Sequence, residues 1–222
     1  MSYFTPEFLK FLRELPANNN RDWFQENKKR YEKSVKFPFE QFITDLIEAL
    51  TQEGLAVGEL SAKECIFRIN RDIRFSQDKS PYKIHVSALI APGGRKGMNS
   101  FGAYVELSGE HVRLYSGAYR PTSELLVQIR QKIYEEPERL QKLISDKKFK
   151  ENFGEIRGEK NKRINKPFSE IIEMQPLILN KSFYYFKHYE PEIVLEKDLI
   201  QQIIKDYKII QPLNQYFEEA IK

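Results

Sequence analysis

The stretch IFRINRDIRFSQDKSPYKIH, Ile66 to His85, holds Arg68, Arg71, Arg74, Lys79 and Lys83 against Asp72 and Asp78. It is too charged for a plain core strand and too apolar for a solvated loop. Arg presents a planar fork that suits carboxylate or phosphate, and Lys a point charge. Two strands are expected here, one over 65–70 and one from Tyr82, joined by a stiff turn. Ser76 and Asp78 can hydrogen-bond nearby backbone, and Pro81 biases Ser80 to an extended conformation. If the strands pair, Arg68, Asn70, Lys83 and His85 share one sheet face, with Arg71, Arg74 and Lys79 at its mouth. This pattern suits an anionic ligand, a phosphate-bearing small molecule or a nucleic acid backbone, with Asp78 and Tyr82 included in the site.

The same residues support other readings. Asp72 or His85 can serve as the acid–base group of a metal-independent enzyme, with the arginines stabilising developing negative charge. Or the arginines are paired to Asp72, Asp78 and other acids, a purely structural ion-pair network in a protein-interaction module. Three further places carry related chemistry. NNNRDWF offers Asn19, Arg21 and Trp23 at a helix start, or Trp23 as core and Asn20 as a cap. RGEKNKRINK carries Arg157, Lys160, Lys162, Arg163 and Lys166 against Glu159, for a phosphate backbone or a solvated loop. FYYFKHYE sets aromatics beside Lys187 and His188, for base stacking or for core.

Other chemistry is missing. There is no C-x-x-C or H-E-x-x-H, and His85, His111 and His188 lack zinc-ligand spacing. Neither a G-x-x-x-x-G-K-[ST] loop nor a G-x-G-x-x-G after a strand occurs, nor a G-x-S-x-G elbow. PGGRKG reads as a flexible β-connection. No metal and no cofactor is implied. Cys65, the lone cysteine, excludes an intrachain disulfide and reads as a buried thiol. With no apolar leader and no run of 18 apolar residues, no membrane span is expected, and the expected setting is the cytoplasm. Net charge is only +4, so any attraction to anions must be local.

The elements that position these residues follow from periodicity. TPEFLKFLREL is a helix with Thr5 as cap and Pro6 at its first position, ended by Pro16. Residues 21–53 read as one kinked helix or two, with Pro38 at the kink and Gly54 as the stop. Tyr82, Ile84, Val86, Ala88 and Ile90 alternate as one strand face. APGGRKGMNS, 91–100, is a flexible loop. FGAYVELS and VRLYSGAY form a hairpin around GEH. Helices return at 122–136, 137–146 and 147–153, and GEIRGEKNKRINKPF is an exposed loop. SFYYFKHYE is a further strand, and the C-terminal helix is interrupted by Pro212. The expectation is a single α+β domain over 1–222: helical over 1–60, sheet over 64–119, helical with one further strand over 120–222. The sheet is antiparallel, with about four to six strands packed against helices.

NNNRDWFQENKKRYE, IFRINRDIRFSQDKSPYK and YRPTSELLVQIRQKI, in this order and spacing, resemble the bacterial and fungal family known as domain of unknown function 2461. The second motif, Phe67 to Lys83, is the most specific. KRINKPF and LNKSFYYF resemble the C-terminal part more loosely. Where the family tends to carry a glycine-rich segment before its aromatic-Arg-Pro element, this chain has LYSGAYRP with only Gly117. The resemblance implies a single-domain α+β cytosolic protein and supplies no activity.

Overall fold

The computed structural model describes residues 2–55, 57–97 and 101–221. Positions 98–100 of the expected loop over 91–100 lie outside the described residues. The fold is α+β, with a four-stranded antiparallel sheet. Strands β1 (His85–Ile90), β2 (Ala103–Ser108), β3 (Val112–Ala118) and β4 (Phe183–Tyr189) are hydrogen-bonded in that order. The chain forms two compact units. One comprises Met1–Arg95, Tyr104–Leu114 and His188–Ile204; the other Lys96–Ala103, Tyr115–Lys187 and Lys205–Lys222.

In the first unit, helix α1 (Pro6–Glu14) follows Thr5, whose side chain makes no capping bond. Its apolar face buries Phe8, Leu9, Phe11 and Leu12. Asn20 caps α2 (Arg21–Glu26) by accepting from the Trp23 N–H at 3.0 Å. Helix α3 (Lys28–Tyr31) then widens into a π-turn over Glu32–Lys36 before α4 (Phe37–Gln52). Pro38 has no N–H to return to the Ser34 carbonyl, so the expected kink becomes one wide turn rather than a break. Phe39, Phe42, Ile43, Leu46 and Leu50 form the buried stripe of α4, with Phe42 5.5 Å from Phe4. Arg30 ties Glu7 and Glu14 together, its guanidinium 5.3 Å above the Phe11 ring.

The strand expected over 65–70 is not regular. Ala62–Cys65 instead form a one-turn helix, α5, with a Ser61–Glu64 capping box. The following segment pairs with the chain before β1 through isolated antiparallel bridges, Ile66 with Ala88 and Asn70 with Tyr82. Between these bridges one side advances four residues and the other six. The second side therefore bulges, which breaks its side-chain alternation. Ile84, expected to face inward with Tyr82 and Val86, is 47% exposed.

In the second unit, α6 (Ser123–Glu135) is capped by Thr122, α7 (Pro137–Ile144) opens on Pro137, and α8 (Lys147–Phe153) is capped by Asp146. Phe149 and Phe153 pack edge-on to Tyr185, and Phe217 packs against Phe101 and Phe183. Helix α9 runs unbroken over Leu199–Glu218 and carries Pro212 inside it, correcting the expected interruption. Ile210, Leu213, Tyr216 and Phe217 are all buried on either side of the proline. Their packing outweighs the roughly 3 kcal/mol propensity penalty of a helical proline. Gly117, at φ +98°, sits where a Cβ would lie 2.1 Å from the Phe183 carbonyl oxygen. The glycine thus admits the backbone of the neighbouring strand.

Candidate functional site

The basic turn of the first unit is largely satisfied by its own charges. Arg71 pairs with Asp78 and donates to the Ser80 carbonyl at 3.2 Å. Arg74 pairs with Asp72 through Nη2 at 2.6 Å and Nε at 2.9 Å. Lys79 donates to the Ile73 carbonyl at 3.0 Å, and Asp78 accepts from the Ser80 N–H at 2.9 Å. Both aspartates are held down to about 2. Hydrogen bonds from Arg74 act on Asp72; those from Ser80, then Arg71, act on Asp78. Asp72 is therefore an exposed, fixed carboxylate, poorly suited to proton transfer near neutral pH. At the tip, Phe75 is 95% exposed.

Tyr82 is buried and stacks on Phe24 at 3.9 Å. Asn19 clamps its backbone in both directions: Nδ2 donates to the Tyr82 carbonyl at 2.9 Å, and Oδ1 accepts from the Tyr82 N–H at 3.0 Å. Trp23 lies 5.5 Å from Phe11, and Arg21 is exposed. The NNNRDWF motif thus fixes where the strand after the turn begins.

Beyond this clamp two basic groups stand differently. Lys83 is half-buried, with Nζ 5.2 Å from the centre of the Phe67 ring. Burial, and then the charge of Arg68, push its ammonium below the ordinary lysine value. Among the described residues neither Lys83 nor Arg68 has an ion-pair partner within 4 Å. Asn70 is exposed, its backbone bridged to Tyr82.

His85, at the start of β1, faces Glu106 of β2, with Nε2 3.6 Å from the carboxylate. Glu106 is also reached by His111 Nε2 at 2.9 Å, Tyr104 Oη at 3.3 Å and Arg113 Nη1 at 3.8 Å. The Arg113 Nε in turn lies 3.5 Å from His188 Nδ1, and the His111 and His188 rings are 5.7 Å apart. Two of the chain's three histidines therefore face one carboxylate whose side chain is only 13% exposed, and the third, His188, stands behind Arg113 and His111. Burial lowers the His85 pKa and outweighs the opposing pull of Glu106, so the ring favours its neutral form. Among the described residues no group of three or more His, Cys, Asp or Glu stands where it could hold a metal ion. Cys65 is buried, and desolvation raises its thiol to about 11, away from nucleophilic chemistry.

Arg68, Lys83 and His85 were expected at the site and border this cluster or belong to it. Glu106, His111, Arg113 and His188 were not anticipated. The trace of Glu106 and Arg113 in the sequence is the alternation of polar residues with buried ones along β2 and β3: Tyr104 and Glu106 between Ala103, Val105 and Leu107, and Arg113 between Val112 and Leu114.

A family model described as "Conserved hypothetical protein (DUF2461)" matches residues 7–216. The chain belongs to this family. The match spans the clamp, the basic turn and the Glu106 cluster together, and it includes all three motifs that carry the resemblance. No curated protein matches the chain. Among the described residues no helix is long and apolar enough to cross a membrane.

Proposed function

We propose that the first unit binds a phosphate-bearing or other anionic small ligand, gripped by Arg68 and Lys83 and bordered by His85. The observation that carries this reading is two like charges close enough to perturb each other, neither of them in an ion pair among the described residues. Lys83 is half-buried over an aromatic ring, and Arg68 lies close enough to lower its pKa. Like charges repel, and partial desolvation strengthens the repulsion. An anion bridging both groups relieves it. Arg71, Arg74 and Lys79 then act indirectly, stiffening the turn that fixes the two segments. The reading places the protein in a reducing compartment such as the cytoplasm, consistent with a single buried thiol.

The test is thermal unfolding with inorganic phosphate, pyrophosphate, a nucleoside monophosphate and citrate. At about 100 times the dissociation constant, a ligand adds about 2.7 kcal/mol. For a chain of this size that raises Tm by roughly 5–10 °C. R68A/K83A should abolish the shift. If none of the four anions moves the wild-type Tm, the reading fails.

A second reading rests on His85. If its Nε2–H is directed at Glu106, the Nδ1 lone pair is left as a base, with Glu106 stabilising the imidazolium formed on proton abstraction. This is metal-independent acid–base chemistry on the same anion, and it drops the Asp72 alternative. It predicts that H85Q keeps the ligand-induced Tm shift while losing any turnover. Turnover that survives in H85Q removes it.

A further inference from the structure

We propose that the second unit binds single-stranded nucleic acid along the β4 edge. In this arrangement bases stack on Tyr119 and Tyr184, and phosphates are held by Arg157 and the basic segment 157–166. This surface uses none of the residues of the Arg68–Lys83 site and does not rest on that reading.

The motif FYYFKHY splits by strand alternation. Phe183 and Tyr185 are fully buried, while Tyr184 and Phe186 point to the opposite side and are half-buried. On that side Tyr119 packs edge-on to Tyr184 at 5.2 Å, and Tyr115 lies 4.7 Å from Phe186. Tyr119 is 56% exposed, with the Arg120 guanidinium 5.4 Å from its ring centre.

The segment expected to be a loop is partly a strand partner. Arg157 donates its N–H to the Tyr184 carbonyl at 2.7 Å and accepts from the Tyr184 N–H at 3.1 Å. A second bridge joins Lys160 and Asn180. Gly158 permits the close approach, since a Cβ there would lie 2.0 Å from the Ser182 carbonyl oxygen. The basic segment is therefore laid along the aromatic strand, and the Arg157 guanidinium sits 4.0 Å from the centre of the Phe186 ring. Two motifs distant in sequence become one surface.

Its charge is concentrated. Five basic residues face one acid over 157–166, an excess as large as the net charge of the whole chain, +4. Glu159 pairs with Lys181 at 3.5 Å, and Lys166 with Glu170 at 3.5 Å. Among the described residues Arg157, Lys160, Lys162 and Arg163 have no ion-pair partner. The exposed Tyr119 ring and the half-buried Tyr184 beside it complement bases, and the run of unpaired cations complements phosphates. An acidic peptide would use only the charges. A bilayer surface also takes tyrosines and cations, so anionic vesicles form the competing arm of the test.

The test is fluorescence anisotropy of labelled oligo(dT) and oligo(U), each about 12 nucleotides long. Wild-type protein should bind at least one of them, more weakly as salt rises, and the tighter of the two identifies the preferred sugar. Y119A, at an exposed position, should weaken binding roughly ten-fold. K162A/R163A should flatten the slope of log K against log salt by about 1.4. R68A/K83A should bind as wild type, which separates this surface from the anion site of the first unit. The proposal is overturned if neither oligonucleotide raises anisotropy at about 100 µM protein, the range of non-specific affinity. It is equally overturned if Y119A binds like wild type, or if anionic vesicles capture the protein while oligonucleotides do not.

Discussion

Asn19→Ala is expected to be one of the most damaging single changes at a half-buried polar residue. Asn19 makes two hydrogen bonds to the backbone of one residue, and Tyr82 is only 5% exposed. Truncation leaves an N–H and a C=O without partners in a place water reaches poorly. Each such orphan costs about 1–2 kcal/mol, so the total is about 2–4 kcal/mol. For a chain of this size that is a Tm lower by roughly 4–16 °C. The assay is urea unfolding followed by fluorescence of Trp23, the chain's single tryptophan, which lies in α2 beside the clamp. Asn19→Asp sharpens the test. Its carboxylate still accepts from the Tyr82 N–H but turns an oxygen toward the Tyr82 carbonyl, so it should be at least as destabilised as Asn19→Ala. A loss below about 0.5 kcal/mol for Asn19→Ala, typical of surface changes, would refute the two-way clamp. So would an Asn19→Asp variant as stable as wild type.

Other outcomes follow from the same geometry. The fold lowers the His85 pKa below the unfolded value and so favours the neutral ring. The associated stability is complete above the ordinary histidine range and is lost as pH falls through it. Urea midpoints taken from pH 7 down to pH 5 should therefore drop less in H85Q than in wild type, and equal slopes would contradict this. The Cys65 thiol, raised to about 11, should resist iodoacetamide at pH 8 until the chain opens, with modification tracking unfolding in urea. Glu219 bridges Lys132 and Arg139 at 2.7 Å beside Tyr216, so E219Q should lower stability by about 1 kcal/mol. R74A removes only an exposed pair and should leave the urea midpoint unchanged.

What could be read from the sequence follows how local each signal is. The caps at Asn20 and Thr122, the proline openings and the hairpin after Ser108 depend on neighbouring residues, and they stand where periodicity put them. Pro212 and the strand expected over 65–70 depend on distant partners. A helix breaker is carried through α9 by buried side chains on both sides of it. The alternation at 65–70 looked like a ladder strand, but the two-residue register slip permits only bridges. The slip also changes the role of Ile84, whose exposure no local pattern could indicate.

The Glu106 cluster was hidden for a related reason. Its groups come from four different strands and a hairpin turn, and each has an ordinary explanation when taken alone. His85 is an outward residue of a strand, His111 a turn residue, and Glu106 and Arg113 the polar half of two alternating strands. Once β1, β2, β3 and β4 are ordered as neighbours, outward residues on adjacent strands must fall side by side. A carboxylate in the middle of such a row is stable only if donors surround it, and His111, Tyr104, His85 and Arg113 do so within 3.8 Å. The charged turn was conspicuous because its excess was local, yet Arg71, Arg74 and Lys79 are held by partners within the same turn. Arg68 and Lys83 are the two basic residues of that stretch without such partners among the described residues. Both lie between the two bridges, Arg68 on the shorter side and Lys83 on the bulged one, and Lys83 there is close enough to Glu106 to feel its charge.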